Sequence, residues 1–518
     1  MATLAEVIPP RSSSTAIITP GAASHAVSFG ALDKQVNTVR SFLASLALPA
    51  QSAIAIALPN SLEFAIAFFA VTYSGFVAAP LNPALRQSEF EFYLQDLKCP
   101  VAFVTKTENE AVVKAAGKIG KFVEGGSVRM FTIAAADDVT VARLDGQEAL
   151  VTGWKGKVHD AKAQDVALVL HTSGTTGRPK VVPLTHVNLT TSIRNIVQTY
   201  RLGQSDTGLL VMPLFHVHGL LCGFLAPLSV SAAVIVPARF SASSFWADFV
   251  EHRATWYTAV PTIHQILLKT AAPEPVPKIR FIRSCSSALA PSTMRSLEER
   301  FHAPVVEAYA MTEASHQMTS NELPPGQRKP TSVGKPQGSV SIRILDQDGN
   351  PVGQGQEGEI CVKGGNVTTG YRNNKAANES SFTTTGYFRT GDQGKVDEDG
   401  FVFITGRIKE LINRGGEKIS PVELDGVLLE HPAVAEAVAF AVPDDMYGQE
   451  VHAAVVLKPD GAHASEQDIR AFMADRVAKF KVPKKIYFTK VMPKTATGKI
   501  QRKNIADTFF RPQGKAKL

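Results

Sequence analysis

The 518-residue sequence lacks the features that would place it in several protein classes. It has only four cysteines, Cys99, Cys222, Cys285 and Cys361, far apart, with no C-x-x-C pair and no histidine at metal-ligand spacing. We therefore expect reduced thiols in an intracellular protein, and neither a disulfide framework nor a zinc site. Charged residues make up 19% of the chain and hydrophobic residues 44%, which excludes bulk disorder.

The residue pattern typical of a leader segment and a long uninterrupted apolar run are not evident either. The N-terminus shows no basic segment followed by an apolar one, so we expect no secretory signal. Two apolar stretches, 64–81 and 209–237, are interrupted by groups such as Ser74, His216 and His218, which are costly in hydrocarbon. We interpret both stretches as buried core and predict no membrane span.

The apolar pattern changes along the chain. At roughly 100–200 residues per domain, the length predicts two to four domains. From about 30 to 330, strand-length apolar runs alternate with helix-like stretches, which is typical of βα units with mostly parallel sheets. Between 332 and 407 the period-two alternation indicates antiparallel strands. Helix starts at Ser420 and Ser465 belong to a smaller α+β unit, so we predict domains at 1–407 and 408–518.

The net charge of +7 is uneven. From Arg476 to the C-terminus there are thirteen Lys and Arg residues and one acid, Asp507, a local balance of +12, which leaves −5 for the first 475 residues. Such a tail is either a solvated basic face or a contact for a polyanion, nucleic acid or a phosphorylated small molecule. Because no aromatic stacking motif accompanies these residues, we do not expect nucleic acid as the main partner.

The strongest local motif is H-T-S-G-T-T-G-R-P-K at 171–180, directly after an apolar run. Glycine and hydroxyl residues at the end of a strand can turn backbone N–H groups and hydroxyls toward a polyphosphate, and Lys180 adds a positive charge. The Walker A spacing is absent. A surface loop without a ligand is the alternative interpretation of such a Gly/Thr run.

This string resembles S-G-T-T-G-x-P-K, the phosphate loop of the adenylate-forming superfamily, which includes acyl-CoA synthetases, coumarate–CoA ligases, luciferases and nonribosomal adenylation domains. Four further family motifs follow in order: Y-A-M-T-E at 309–313, Y-F-R-T-G-D at 387–392, G-R-I-K-E-L-I at 406–412 and P-K-T-A-T-G-K-I at 493–500. The resemblance implies an α/β fold with a large N-terminal domain of two α/β subdomains plus a distorted β-barrel. A small mobile α+β C-terminal domain is expected to follow.

The resemblance also implies ATP and coenzyme A as co-substrates and Mg²⁺ as a cofactor. An acid would attack the α-phosphate of ATP, and the thiol of coenzyme A would then displace AMP from the acyl-adenylate. This chemistry needs positioning and charge neutralisation rather than a protein nucleophile.

Roles of individual residues follow from the matched motifs. Thr312 is expected to contact the α-phosphate, Glu313 to hold Mg²⁺, and Lys499 to bridge the α-phosphate and the reacting carboxylate. Tyr309 is expected to stack on adenine and Asp392 to accept the ribose hydroxyls. The full set expected to bind nucleotide or coenzyme A is Thr172, Ser173, Gly174, Thr175, Thr176, Gly177, Lys180, Ser286, Glu307, Ala308, Tyr309, Thr312, Asp392, Arg407, Gly415 and Gly416.

Lys409 matches the hinge of the family. After adenylation the small domain is expected to rotate about it, which withdraws Lys499. The same rotation would bring the loop at 413–416 to the site, where Gly415 and Gly416 would line the pantetheine channel.

Two departures from the family pattern concern the acid. R-S-C-S-S-A-L at 283–289 replaces the usual S-G-G/A-A-P-L, and F-H-V-H-G at 215–219 has an additional histidine. The candidate substrate residues are His216, His218, Arg283, Ser287 and His316. An arginine with nearby His and Ser suits a second substrate carboxylate. Alternatively, Arg283 pairs with an internal acid and the histidines satisfy core carbonyls.

These strings resemble the oxalate–CoA ligase branch near the coumarate–CoA ligases. Oxalate is therefore the expected acid, and a medium-chain or hydroxycinnamate-like monocarboxylate is the alternative. The C-terminal Ala516-Lys517-Leu518 resembles the peroxisomal S-K-L signal. It predicts recognition by the peroxisomal import receptor, with the cytosol as second choice.

Overall fold

The computed structural model describes residues 2–8, 12–21, 24–119, 128–136, 138–144, 159–172, 179–461, 463–494 and 502–510. The α-helices in these ranges are α1 Leu4–Val7, α2 Phe29–Ser45, α3 Leu62–Tyr73, α4 Gln87–Leu97, α5 Glu110–Ile119, α6 His186–Tyr200, α7 Ala226–Leu228, α8 Phe245–Glu251, α9 Pro261–Lys269, α10 Pro291–Phe301, α11 Lys375–Ser381, α12 Pro421–Glu430, α13 Glu466–Ala474 and α14 Arg502–Phe509. None of them is long and apolar enough to cross a membrane.

The first part of the chain supplies the strands β1 Thr15–Thr19, β2 His25–Ser28, β3 Ala53–Ala57, β4 Val77–Pro80, β5 Val101–Val104, β6 Arg129–Ala135, β7 Val139–Arg143, β8 Val166–Thr172, β9 Lys180–Thr185, β10 Thr207–Leu210, β11 Ala233–Ile235, β12 Trp256–Ala259, β13 Phe281–Cys285, β14 Val305–Met311, β15 His316–Ser320 and β16 Lys335–Pro336. The later strands are β17 Ser341–Leu345, β18 Gly358–Lys363, β19 Phe388–Val396, β20 Val402–Arg407, β21 Ile412–Arg414, β22 Glu417–Ile419, β23 Val434–Asp444, β24 Gly448–Leu457 and β25 Lys485–Phe488.

Four sheets organise the fold. A seven-stranded sheet has the order β7-β6-β5-β3-β4-β8-β9, and a nine-stranded sheet has the order β16-β15-β14-β13-β12-β10-β11-β1-β2. Both are parallel at the centre with antiparallel strands at the edges. The smaller C-terminal sheet has the order β22-β21-β24-β23, with β25 parallel to β24. The expected α/β fold with a large N-terminal body and a small α+β unit is confirmed.

The two large sheets share one apolar core through α3. Ser61 begins this helix, accepting a hydrogen bond from the Phe64 amide at 3.2 Å. The helix is apolar on every face and almost wholly buried, as expected for a helix enclosed by protein. Phe69 stacks on Phe224 of a π-helix, His218–Leu225, with ring centroids 5.8 Å apart. This contact fixes the π-helix, which carries His218 into the site.

Three details differ from the sequence predictions. The segment expected as a distorted barrel is an open antiparallel sheet, β17-β18-β19-β20, with no barrel closure in the described residues. The apolar spacing after Ser465 predicts a helix whose buried face includes Phe480, but α13 ends at Ala474 and Phe480 lies on a separate 3₁₀ turn. The apolar run at 279–282 predicts a strand there, but the structure places β13 at Phe281–Cys285. The predicted strand stops before Arg283, whereas the ladder continues through this residue, which pairs with Thr258 and Val306.

Five basic side chains of the C-terminal segment are paired with acids in the folded structure. The pairs and N···O distances are Lys481–Glu423 at 2.8 Å, Lys484–Asp444 at 3.1 Å, Lys485–Glu466 at 3.2 Å, Lys494–Glu436 at 2.7 Å, and Arg502 with Asp425 at 2.6 Å and Glu410 at 3.1 Å. Every one of these acids precedes residue 476 in the chain. The described part of the segment is therefore less suited to a polyanion than its local charge indicates.

Charge pairs flank the predicted hinge on both sides. Arg407, at the end of β20, pairs with Asp392 of β19 at 2.8 Å, and Glu410 accepts from Arg502 of α14. Lys409 lies exposed between these anchors. The boundary between 407 and 408 stays a prediction.

Gly334 tests how tightly the large body is packed. It has φ +78°, and an added Cβ would lie 1.8 Å from the Ser320 carbonyl carbon. Gly400 has φ +85° with nothing within 4 Å of the same position. Gly400→Ala should cost only the left-handed strain, about 1–2 kcal/mol. Gly334→Ala should lower the Tm by several degrees more, because backbone has to move. Equal Tm losses in thermal unfolding would contradict this packing.

Candidate active site

Three parallel strands of the nine-stranded sheet end at one edge, where ligands bind in open α/β sheets. Strands β12 and β13 pair in register at Thr258 and Arg283. Ser286 follows β13, and Thr312 begins a 3₁₀ turn after β14. The topology thus brings residues of the motifs at 283–289 and 309–313 to the same edge as Thr258.

A carboxylate on β19 is the centre of the nucleotide-side cluster. Asp392 pairs with Arg407 Nε at 2.8 Å and accepts a hydrogen bond from the Tyr309 hydroxyl. Burial raises the pKa of Asp392, while the neighbouring Arg407 opposes that shift. Three residues predicted from three different motifs are therefore in contact. The arrangement presents a buried carboxylate and an aromatic ring at one end of the site.

Glu313 is held by a residue that the sequence analysis did not identify. Its Oε1 accepts a 2.8 Å hydrogen bond from the Tyr371 hydroxyl, and Lys180 Nζ lies 4.5 Å from the centre of the Tyr371 ring. Burial raises the pKa of Glu313, and the Tyr371 hydrogen bond partly opposes it. The only signal for Tyr371 in the sequence was an aromatic residue within a polar stretch.

The donor set around Glu313 suits a metal that arrives with phosphates. A carboxylate is a hard oxygen ligand, and Mg²⁺ is usually held by one or two carboxylates together with substrate oxygens and water. Within the described ranges, no group of three or more His, Cys, Asp or Glu side chains could hold a metal ion. A single oriented carboxylate fits Mg²⁺ bound with nucleotide but not an all-protein metal cage.

Arg283 is the most unusual residue of the site, because its side chain has no exposed surface. Nε donates to the Tyr200 hydroxyl at 2.7 Å, Nη1 to Thr258 Oγ1 at 3.2 Å, and Nη2 to Gln317 Oε1 at 3.2 Å. Burial raises the pKa of Tyr200 to about 12 and that of Cys222 to about 11, so both neighbours are neutral at pH 7. No ion pair to Arg283 occurs among the described residues.

His218 connects this buried charge to the loop after β13. Its Nε2 lies 2.7 Å from Thr258 Oγ1 and 3.4 Å from Arg283 Nη1, and its Nδ1 lies 3.1 Å from Ser286 Oγ. The ring stacks on His316 with centroids 5.1 Å apart. His216 is half-buried, and its ring lies 5.6 Å from that of Phe215.

The two serines after β13 differ in orientation. Ser286 is half-buried at φ +76°, with its hydroxyl on His218. Ser287 is exposed and donates to the carbonyl of Ser286 at 2.8 Å. Ser286 is expected from the sequence to bind the nucleotide. In the structure it contacts His218, which lies beside Arg283, whereas Ser287 does not.

A buried carboxyl supports the same loop. Glu307 lies on β14 beside buried Ala308, and its Oε1 accepts from the Leu289 amide at 2.9 Å. Burial raises the pKa of Glu307 to about 8, against the opposing effect of that amide. The neutral form therefore predominates at pH 7 and holds the loop that carries Ser286.

Other predicted residues are placed as follows. Thr172 and Lys180 face each other across the β8–β9 ladder, which closes the ends of the predicted phosphate loop. Gly415 and Gly416 join β21 and β22 with φ +58° and +94°, and the Gly415 amide donates to the Tyr447 carbonyl at 2.9 Å. Outside the described residues lie Ser173, Gly174, Thr175, Thr176, Gly177, Lys499 and the C-terminal 516–518.

Comparison with known proteins agrees with this geometry. The family model described as "AMP-binding enzyme" matches residues 9–372, and that described as "AMP-binding enzyme C-terminal domain" matches 423–499. The chain is 49% identical over 484 residues to a protein of Saccharomyces cerevisiae named "Oxalate--CoA ligase", covering 90% of this chain and 89% of that one. It is 49% identical over 469 residues to an Arabidopsis thaliana protein of the same name, covering 88% of each.

A solved structure shows the same fold over almost the whole chain. It is the ATP-bound form of MatB from Rhodopseudomonas palustris, with a TM-score of 0.87, 29% identity and 98% of each chain covered.

The buried carboxyl of Glu307 makes a prediction about stability. With a native pKa of about 8 against the ordinary 4.5, the native state keeps a proton that the unfolded state releases between these pH values. The free energy of unfolding should therefore fall as pH rises through this range, by an amount on the order of a few kcal/mol. Glu307→Gln keeps the acceptor oxygen and removes the titration.

We expect Glu307→Gln to be more stable than wild type above pH 8 and to lose this advantage toward pH 4. Denaturant unfolding at several pH values measures the effect, with the exposed Glu322→Gln as control. Parallel pH profiles for wild type and Glu307→Gln would contradict it.

Proposed function

Because this chain belongs to the family of AMP-binding enzymes, we propose that it is an ATP-dependent oxalate–CoA ligase. The reaction converts oxalate, ATP and coenzyme A to oxalyl-CoA, AMP and diphosphate. The two relatives with that name, each similar over about nine tenths of this chain, support this assignment. A monocarboxylate substrate has less support.

The reaction proceeds in two balanced steps. One carboxylate oxygen of the acid bonds to the α-phosphorus of ATP while the bond to the bridging oxygen of diphosphate breaks. The thiolate sulfur of coenzyme A then bonds to the acyl carbon, and AMP leaves with the electron pair of the carbon–oxygen bond. Neither step forms a covalent bond to the protein, so this chain contributes positioning and charge neutralisation.

The nucleotide-side residues have separate roles in this proposal. Asp392, held by Arg407 and Tyr309, accepts the ribose hydroxyls. Thr312 contacts the α-phosphate, and Lys499 neutralises charge between that phosphate and the reacting carboxylate. Glu313, oriented by Tyr371, would hold Mg²⁺, which supplies positive charge to the phosphate oxygens.

The buried guanidinium of Arg283 is the observation that carries the choice of oxalate. An uncompensated buried charge costs several kcal/mol. A small dianion that binds close to it offsets part of that cost, whereas an apolar acid offers nothing in return. His218, Ser286 and His316 lie in the same corner, so an alkyl or aromatic chain would place apolar surface beside these polar groups and offer no hydrogen bond to them.

An acid panel tests the substrate. AMP release in the presence of coenzyme A, measured with oxalate, acetate, octanoate and coumarate, should give the largest kcat/KM for oxalate. Arg283→Met removes the charge and keeps an unbranched side chain. It should lower kcat/KM for oxalate by about a hundredfold, which corresponds to about 3 kcal/mol because each tenfold change is about 1.4 kcal/mol. Arg343→Met on the exposed surface serves as the matched control. A wild-type preference for octanoate or coumarate would overturn the assignment.

We also propose that the protein is imported into peroxisomes through Ala516-Lys517-Leu518. This signal is read by a receptor and has no part in catalysis. Deleting the three residues should move a fluorescently tagged protein (tag at the N-terminus) from peroxisomes to the cytosol while the purified protein keeps its ligase activity. An unchanged distribution would refute the signal.

A further inference from the structure

A series of hydrogen bonds runs from Arg283 through Thr258 and His218 to Ser286. Its direction follows from which of these groups can donate a proton. Arginine has five N–H donors and no acceptor. Thr258 Oγ1 therefore accepts from Arg283 Nη1, which leaves the hydroxyl proton of Thr258 for another partner. Its shortest contact is His218 Nε2 at 2.7 Å. The sulfur of Cys222 is also within reach of the Thr258 hydroxyl, but sulfur is a weaker acceptor than an imidazole nitrogen.

The two groups that contact Nε2 favour one tautomer of His218. Nε2 accepts from Thr258 and faces a second donor, Arg283 Nη1, at 3.4 Å. A proton on Nε2 would place two donors against each other beside a buried positive charge. A neutral imidazole with a bare Nε2 carries its proton on Nδ1. Nδ1 therefore donates to Ser286 Oγ at 3.1 Å.

Ser286 ends the chain of hydrogen bonds. Its oxygen accepts from His218, and no second protein partner of this hydroxyl occurs within the described part of the molecule. The hydroxyl proton can therefore point away from His218, toward the half-exposed side of the residue. Ser286 also has φ +76°, an uncommon conformation for a residue other than glycine, and such strain concentrates at functional positions.

We propose that Arg283 is a positioning residue that acts on the acid through Thr258 and His218, so that the Ser286 hydroxyl is set as a hydrogen-bond donor to the distal carboxylate of the substrate. This inference rests on the proposed function for the identity of that carboxylate. The enclosed guanidinium makes no contact of its own with the acid. Thr258 becomes a specificity determinant, although it has only 2% of its surface exposed.

Thr258→Val removes the hydroxyl and keeps the shape, and Thr258→Ser keeps the hydroxyl. We expect Thr258→Val to raise KM for oxalate about tenfold with kcat largely retained, and to lower the ratio of kcat/KM for oxalate to that for acetate by a similar factor. Thr258→Ser should restore both. Thr72→Val, an equally buried threonine whose hydroxyl bonds to the Phe68 carbonyl at 2.8 Å, is the matched control and should leave the ratio unchanged.

A double-mutant comparison distinguishes loss of this hydrogen-bond series from a general packing defect. Thr258→Val and Ser286→Ala interrupt the same donor, so the double variant should lose no more oxalate selectivity than Ser286→Ala alone. Ser286→Ala should also have a larger effect than Ser287→Ala. Additive losses, a larger effect at Ser287, or equal losses on every acid would overturn the proposal.

The tautomer can be measured without any substrate. In full-length protein labelled with ¹⁵N-histidine, the His218 signals are identified by their loss in His218→Gln. They should show a protonated Nδ1 in wild type and a mixture of tautomers in Thr258→Val. A protonated Nε2 in wild type would contradict the proposed direction of the hydrogen bonds. Turnover of acetate without turnover of oxalate would instead overturn the proposed function, and the tautomer measurement then decides the hydrogen-bond chain by itself.

Discussion

Arg283 carries a full positive charge at a position with no exposed surface, so every group around it has to accept a hydrogen bond. Tyr200, Thr258 and Gln317 do so from three different elements, α6, β12 and β15. These contacts join α6 to the nine-stranded sheet, and the 3.4 Å contact between Arg283 Nη1 and His218 Nε2 adds the π-helix. Because the acceptors are neutral, the charge is solvated but not cancelled, and the electrostatic character of the pocket depends on it.

The two ends of the site use charge differently. On the nucleotide side, Asp392 already has a cation partner in Arg407, so this end is close to neutral before a ligand arrives. On the acid side, the positive charge has no counter-ion in the described residues. In the proposed function, a nucleotide meets a preformed hydrogen-bonding frame, and a small dianion meets an uncompensated charge. This difference explains how one pocket can be general for ATP and selective for its acid.

The C-terminal unit follows a third pattern, in which several ion pairs join residues within the unit. Arg502 joins Glu410, Asp425 and the Ala439 carbonyl within the unit, and Arg407 is held by the large body. Lys409 lies between these two anchors. The fold thus confines the connection between the large body and the small unit to a short segment whose ends are each fixed by an ion pair.

The sequence by itself determined the fold class and the family, and it predicted candidate residues for the nucleotide side. Short apolar runs, glycine and hydroxyl loops and ordered motifs are local patterns, and contacts such as Tyr309–Asp392–Arg407 follow once the motifs are recognised. The exposure of Ser287, the open sheet at 341–407 and the length of α13 were not readable in this way, because neighbours distant in sequence decide them.

Only the tertiary structure decided what surrounds Arg283. The apolar run before it indicated a strand that ends there, and the residue type suggested direct contact with a carboxylate. Instead, the sheet register places Arg283 beside Thr258, and α6 supplies Tyr200, 83 positions away in sequence. A hydrogen-bond cage assembled from distant elements has no local periodicity. The direction of its hydrogen bonds follows from counting donors and acceptors. That count is possible only after the fold has brought the groups within 3.5 Å of one another.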